Sequence, residues 1–297
     1  MKRVLVTGAR SAVGAFLLPL LLEHECTVLA VSRRGREVSG AGVRWLRADL
    51  RAAPPALGPF DVWIHLARLD LLPRWLEGLS APPNRLIAFS TTSVLSKAAS
   101  SDPAERELAA RLLDAERRVQ RLAEERGVAW TLFRPTMIYG TGRDHNVAFI
   151  ARWVRRWRLF PLVGAGRGAR QPVHAADLAR ACLLALDARS SHGQTYVLGG
   201  GEVLTYREMV DRIFRAEGLT PRYLQVSEHL LCLAVQAAAH LPGLRFLSPA
   251  MVQRMNQDLA FDIGPAERDL GYRPRPFEPE AGAKHGTARN ARGEVGE

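Results

Sequence analysis

Tyrosine is scarce in this 297-residue chain and unevenly placed: there are five, and none precedes Tyr139. Cysteine is scarcer. Cys26, Cys182 and Cys232 stand far apart with no CxxC pair, so neither a zinc site nor a disulfide framework is suggested, and a reducing, cytoplasmic setting is expected. There is no run of about 18 uncharged apolar residues, so no membrane span is expected. The opening Met1-Lys2-Arg3-Val4-Leu5-Val6 is too short for a secretory signal core, because Thr7-Gly8 and Arg10 interrupt it. Lysine is nearly missing as well: three of the 41 basic residues (Lys2, Lys97, Lys284) are lysine and the rest arginine. A net charge of +11 invites a polyanion partner. The charge is spread along the chain, however, and its densest group, Arg152, Arg155, Arg156 and Arg158, fits a solvated helix face. A nucleic-acid partner is therefore not expected.

What is present is an alternation of short apolar strands with helical patterns. Strands are predicted at Lys2 to Thr7, Thr27 to Val31, Val43 to Leu46, Val62 to Leu66, Leu86 to Phe89, Ala129 to Phe133 and Tyr196 to Leu198. Such alternation argues for a parallel sheet covered on both faces. The clearest helix runs from Pro103 to about Arg126. Asp102 is its N-cap, Glu105 completes a capping-box pattern, and Leu108, Leu112, Ala115, Val119 and Leu122 form one apolar face. Later helices are predicted at Val147 to Leu159, Ala176 to Leu186 and Thr205 to Glu217, the last with a Thr205/Glu208 capping box. Leu230 to Leu241 is apolar enough to be expected as a core helix. The fold class expected is α/β: a Rossmann-type, doubly wound parallel sheet at 1–160, a smaller C-terminal substrate lobe mainly at 161–280 with some return to the core, and a disordered tail at 281–297.

The strongest motif opens the chain. Val4-Leu5-Val6-Thr7-Gly8-Ala9-Arg10-Ser11-Ala12-Val13-Gly14 is a strand, a glycine-bearing turn and a helix start. Unpaired N–H groups and a partial positive charge at a helix N-terminus suit a pyrophosphate, and glycine lets the backbone approach it. Gly8, Arg10, Ser11, Ala12, Val13 and Gly14 are thus candidate cofactor ligands. Ser11 stands where the usual GxxGxxG spacing has its middle glycine; its hydroxyl either bonds a phosphate oxygen or merely loosens binding. The second strand ends in Ser32-Arg33-Arg34 rather than in a carboxylate. A carboxylate there would accept from ribose hydroxyls, whereas Arg33 and Arg34, with Arg10, suit a 2′-phosphate. NADP is therefore expected over NAD, the alternative being that these are surface arginines in an arginine-rich chain.

These residues, with others in order over roughly 2 to 277, make the chain resemble the NAD-dependent epimerase/dehydratase family of extended or atypical short-chain dehydrogenases/reductases. The further matches are Asp49-Leu50, His65-Leu66-Ala67, Ser90-Thr91-Thr92-Ser93-Val94, Arg134-Pro135-Thr136-Met137-Ile138-Tyr139-Gly140, Pro172-Val173-His174-Ala175-Ala176-Asp177-Leu178-Ala179 and Gly271-Tyr272-Arg273-Pro274. The resemblance implies adenine contacts from Asp49 and Leu50, and further cofactor contacts from Leu66, Ala67, Ser90 and Pro135. It also implies a Tyr-x-x-x-Lys pair on the helix after the fifth strand, in which the lysine lowers the tyrosine pKa for proton transfer. Counting back from Arg134 puts Leu112 at the lysine position and Leu108 at the tyrosine position, with Glu116 where the family commonly has a glutamate. No shift of register restores the pair, since no tyrosine occurs earlier.

Thr92 matches the family's hydroxyl that bonds a substrate carbonyl, or else caps a turn. His145, beside Asp144 near the expected cleft mouth, has a suitable pKa for a replacement acid or base; a solvated loop histidine is the blander reading. Tyr139 belongs to a structural turn, and His174 and Asp177 hold the second lobe or start a helix. Two functions stay open: a reductase- or epimerase-like enzyme on a small substrate using a non-tyrosine proton donor, or an NADP-binding protein without turnover that acts as a redox sensor or assembly subunit. The resemblance also implies a possible homodimer through the Pro103 to Arg126 helix.

Overall fold

Strand β1 (Arg3–Thr7) is buried from Val4 onward, as a strand covered on both faces must be. The computed structural model describes residues 1–34, 42–142, 144, 146–241 and 248–281. After β1 come α1 (Ala12–Glu23), β2 (Thr27–Ser32), β3 (Val43–Arg47), β4 (Val62–His65), α2 (Leu72–Gly78), β5 (Arg85–Phe89), α3 (Ser93–Ser96), α4 (Pro103–Glu125) and β6 (Ala129–Pro135). The second half holds β7 (Ile138–Tyr139), α5 (Val147–Trp157), β8 (Phe160–Val163), β9 (Ala169–Arg170), β10 (Val173–His174), α6 (Ala175–Asp187), β11 (Gln194–Leu198), β12 (Leu204–Thr205) and α7 (Tyr206–Ala216). It closes with β13 (Tyr223–Val226), α8 (Glu228–Ala238), α9 (Pro249–Gln253) and α10 (Gly264–Leu270).

The main sheet has seven strands in the order β11-β6-β5-β4-β1-β2-β3. All its pairs are parallel. The chain therefore reverses direction across the sheet between β1 and β4, and a crevice opens there at the carboxyl ends of the strands. One face carries α1, α6 and α10, with Leu17, Leu21, Leu178 and Cys182 in the core. The other carries α2 and α4 over Trp63, Trp75, Leu86 and Leu132. The sheet, its strand count and its helical cover are those expected from the sequence. The return to the core is substantial: β10, α6 and β11 rejoin the first unit, α6 packing on α1 and β11 pairing with β6. The remaining lobe has its own core of Tyr139, Val154, Phe160, Met209, Ile213 and Phe214.

Two local expectations need correction. Asp102 caps α4 by accepting from Ala104 N at 2.9 Å, but Glu105 does not reach back to complete a capping box. It is drawn instead to Lys97 at 2.9 Å and to Arg254 on the second lobe, because a nearly buried carboxylate needs cationic partners more than it needs one N–H. Helix α8 is not a core helix. Among its residues only Leu231 is buried, while Leu230 is 61% and Leu233 51% exposed. Its apolar side chains lie on more than one side, and the lobe covers only the side that carries Leu231. Residues 282–297, which hold nearly all of the expected tail, lie outside the described residues.

Candidate cofactor cleft

The glycine turn is built by close packing. Gly8 sits at φ +72°, and a Cβ there would lie 2.7 Å from Ala67 N, so only glycine lets β1 turn against the end of β4. Ser11 is the N-cap of α1: its Oγ accepts from Gly14 N at 3.1 Å, and its backbone is extended at φ −66°. The missing middle glycine is explained, since this position does not require left-handed backbone. Serine here closes one orphan donor and leaves the N–H groups of Ala12 and Val13, with its own O–H, to face an anion.

Behind the turn lies a buried polar relay. Trp63 Nε1 donates to Thr7 Oγ1 at 2.9 Å; Thr7 lies 2.8 Å from His65 Nδ1, and His65 Nε2 lies 3.0 Å from Arg68 O. A carbonyl only accepts, so Nε2 carries the proton and donates to Arg68 O, and in the neutral ring Nδ1 accepts from the Thr7 hydroxyl. Burial holds the His65 pKa down to about 4, so the ring is neutral. The relay ties β1 to β4 and shapes the loop Leu66-Ala67-Arg68.

Two adjoining chambers open above these loops. The first, about 730 Å³, is lined by Gly8, Arg10, Ser11, Arg33, Arg34, Asp49, Leu50, Leu66 and Ala67, all expected from the sequence. Arg51 and Arg68 line it too and were missed, although each lies one or two residues from an expected contact. Asp49 Oδ1 accepts from Arg51 N at 3.0 Å, which turns the loop after β3. Ser32 Oγ donates to Arg34 O at 2.5 Å and shapes the turn that carries Arg33 and Arg34, which are exposed. Arg68 is held by Asp70 through two bonds, at 3.0 and 2.6 Å.

The second chamber, about 300 Å³, shares Ser11, Leu66, Ala67 and Arg68 with the first and continues past Ala12, Val13, Ser90, Thr91, Leu112, Pro135 and Ile138. Gly14 lines neither chamber and serves the turn from beneath. Ser90 Oγ is buried with no hydrogen-bond partner. A hydroxyl left unpaired at the wall of a cleft is a donor awaiting a ligand. Leu112 faces this space because Glu116, one turn later and 1% exposed, is clamped by Arg134, with Nε at 3.0 Å from Oε1. Leu108 is half-buried one turn before Leu112.

The other candidates are engaged elsewhere. Thr92 Oγ1 donates to Pro135 O at 3.1 Å. Tyr139 is buried; its hydroxyl accepts from Glu278 N at 3.2 Å and donates to Pro276 O at 3.4 Å. His174 caps α6, its Nδ1 accepting from Ala176 N at 3.1 Å, and its ring lies under Gly140, where a Cβ at φ +109° would strike it. Asp177 binds the Arg275 guanidinium and backbone N at 3.0 to 3.1 Å, tying down the segment that follows α10. His145 lies outside the described residues.

Residues 75–199 match the sequence profile of the NAD dependent epimerase/dehydratase family. That stretch of the chain is similar to this family. The mitochondrial NADH dehydrogenase [ubiquinone] 1 alpha subcomplex subunit 9 of Arabidopsis thaliana is 35% identical over 97 residues, 32% of this chain and 24% of that protein. The 2-alkyl-3-oxoalkanoate reductase of Stenotrophomonas maltophilia is 26% identical over 92% of this chain and 95% of its own. The two relatives above 30% identity are longer proteins, of which the chain spans 37% and 24%. The fold matches that of MoeE5 in complex with UDP-glucuronic acid and NAD, with a TM-score of 0.69 and 22% identity over 93% of this chain and 94% of that one. Proteins to which the chain is similar include reductases and an epimerase, and no described helix is long and apolar enough to cross a membrane.

Proposed function

We propose that this chain holds NADP in the cleft and lacks the tyrosine-assisted proton transfer of its family. The observation that carries this reading is Leu112 at the wall of the second chamber. Apart from Arg68, the described lining there consists of hydroxyls, backbone and hydrocarbon, and none of these titrates near neutral pH. A bound nicotinamide dinucleotide supplies hydride-transfer chemistry. This chain's part is to bind and orient it: Ser11 and the N–H groups of Ala12 and Val13 at the pyrophosphate, Arg33 and Arg34 at a 2′-phosphate, Asp49 and Leu50 at the adenine, and the unpartnered Ser90 hydroxyl deeper in the cleft. An assembly or sensing role fits this equipment and the likeness to an NADH dehydrogenase [ubiquinone] subunit. A second reading, reduction of a carbonyl compound with the proton drawn from His145 or a water, is favoured by the nearly full-length likeness to 2-alkyl-3-oxoalkanoate reductase.

Calorimetric titration with NADPH and NADH tests the binding claim; NADPH is expected to bind more tightly, and no saturable binding of either overturns it. Turnover with a panel of carbonyl compounds separates the two readings. A silent wild type, with activity restored in Leu108→Tyr/Leu112→Lys, supports binding alone. Wild-type activity that vanishes in His145→Ala supports the reductase.

A further inference from the structure

The second lobe contains a cavity of about 240 Å³ between α5, α8 and α9 that the cofactor reading does not use. Its wall is mainly hydrocarbon and aromatic: Met137, Phe149, Ile150, Trp153, Val235 and Met251. An apolar cavity of ~150 Å³ already stays dry and takes up benzene, so this one has room for a longer chain.

Two cations border it, and both are committed. Arg170 is 3% exposed; it gives its N–H groups to the carbonyls of Ala169, Gln257 and Arg254, and its guanidinium stacks 5.0 Å over the Tyr206 ring. Arg254 donates to both oxygens of Glu105, at 2.7 and 2.5 Å. Recognition of a diphosphate needs guanidinium or ammonium groups with donors to give, and here those donors face backbone carbonyls and a carboxylate. The polar side-chain groups left at the lining are the Asn146 amide and the Tyr206 and Ser248 hydroxyls, neutral groups that suit the oxygen of a carbonyl rather than a diphosphate. The cavity also adjoins the cleft: Pro135 and Ile138 line the second chamber, while Met137 between them lines the cavity. A ligand seated here reaches toward the cofactor chamber.

We infer that the cavity receives the hydrocarbon chain of an apolar carbonyl compound, its head directed at the cofactor cleft, and does not receive a nucleotide-sugar. This rests on the proposed cofactor site only for the direction in which the head points. Isothermal calorimetry with 2-alkanones from five to eleven carbons, with and without NADPH, tests it against UDP-glucose. Each added methylene is expected to tighten binding by about fourfold until the cavity is full, the factor set by burial of one methylene, with UDP-glucose giving no heat of binding. Val235→Trp, which fills the cavity, is expected to flatten the series. Leu233→Trp, on the exposed side of the same helix, is expected to preserve it and so controls for the stability of α8. Affinity independent of chain length, an unchanged series in Val235→Trp, or binding of UDP-glucose without the alkanones would overturn the inference. The NADPH titration of the same preparation reports separately on the cofactor reading, which fails alone if NADPH does not bind while the alkanones do.

Discussion

His65 illustrates how a buried titratable side chain couples stability to pH. Its folded pKa, about 4, lies below the ordinary value of 6.5 because burial penalises the imidazolium. The unfolded chain therefore takes up the proton first. The contribution of neutral His65 is complete above about pH 6.5 and declines as pH falls towards 4, by up to ~1.4 kcal/mol per pH unit. In urea unfolding, wild type is expected to lose more stability than His65→Gln between pH 7 and pH 4.5; parallel losses would show that the ring titrates freely in the folded state. Arg33 and Arg34 present a second residue-scale test. Replacing both with alanine removes charge-assisted bonds worth ~1.5–3 kcal/mol each, so NADPH affinity should fall at least about tenfold while NADH affinity hardly moves. Equal losses for both cofactors would remove these arginines from 2′-phosphate recognition.

Helix α4 works at the scale of an element, carrying three different partners along its length. Glu105 binds Lys97 and Arg254, Leu112 faces the cleft and Glu116 holds Arg134. Burial pushes the Glu105 carboxyl up, but bonds from Arg254, Lys97 and Ser100 outweigh it and hold its pKa below the ordinary carboxylate value. Arg254→Ala leaves that carboxylate short of a partner in a largely buried place and is expected to cost about 3 kcal/mol in urea unfolding. Helix α8 makes the opposite case. Leu230→Ala is expected to change stability by less than ~0.5 kcal/mol, and Leu231→Ala to cost about 2 kcal/mol or more. Comparable losses at the two positions would place a further partner over the outer side of α8.

Across the whole molecule, the lobes are joined by ion pairs as well as by chain crossings. Arg254 reaches Glu105 of the first unit, and Arg275 reaches Asp177 on α6. The cofactor loops, by contrast, all belong to the sheet half, so NADPH should stabilise the sheet half first. At a hundred times its dissociation constant, a ligand of the folded state adds ~2.7 kcal/mol. For a chain of this size that corresponds to a rise of ~5 °C or more in Tm. Thermal scans with NADPH, NADH and neither should order in that sequence. No shift with NADPH would contradict saturable binding to the folded protein.

Much of this was legible in the sequence, for a local reason. The turn Gly8 to Gly14, the parallel strands, the Asp102 N-cap and the Thr205/Glu208 capping box depend on contacts within a few residues, which spacing and side-chain type report directly. The lack of tyrosine before Tyr139 is likewise plain from the letters alone. What only the tertiary structure decided depends on residues far apart in the chain. Glu105 left its cap because Arg254, 149 positions later, lies beside it. Helix α8 is exposed because the lobe reaches only one of its sides, a fact that its largely apolar composition does not encode. Ser90 is unpartnered, Arg51 and Arg68 join the wall of the first chamber, and Met137 stands between cleft and cavity because separate strands end at one edge of the sheet. That convergence is a property of the packed sheet and is invisible in any single stretch of sequence.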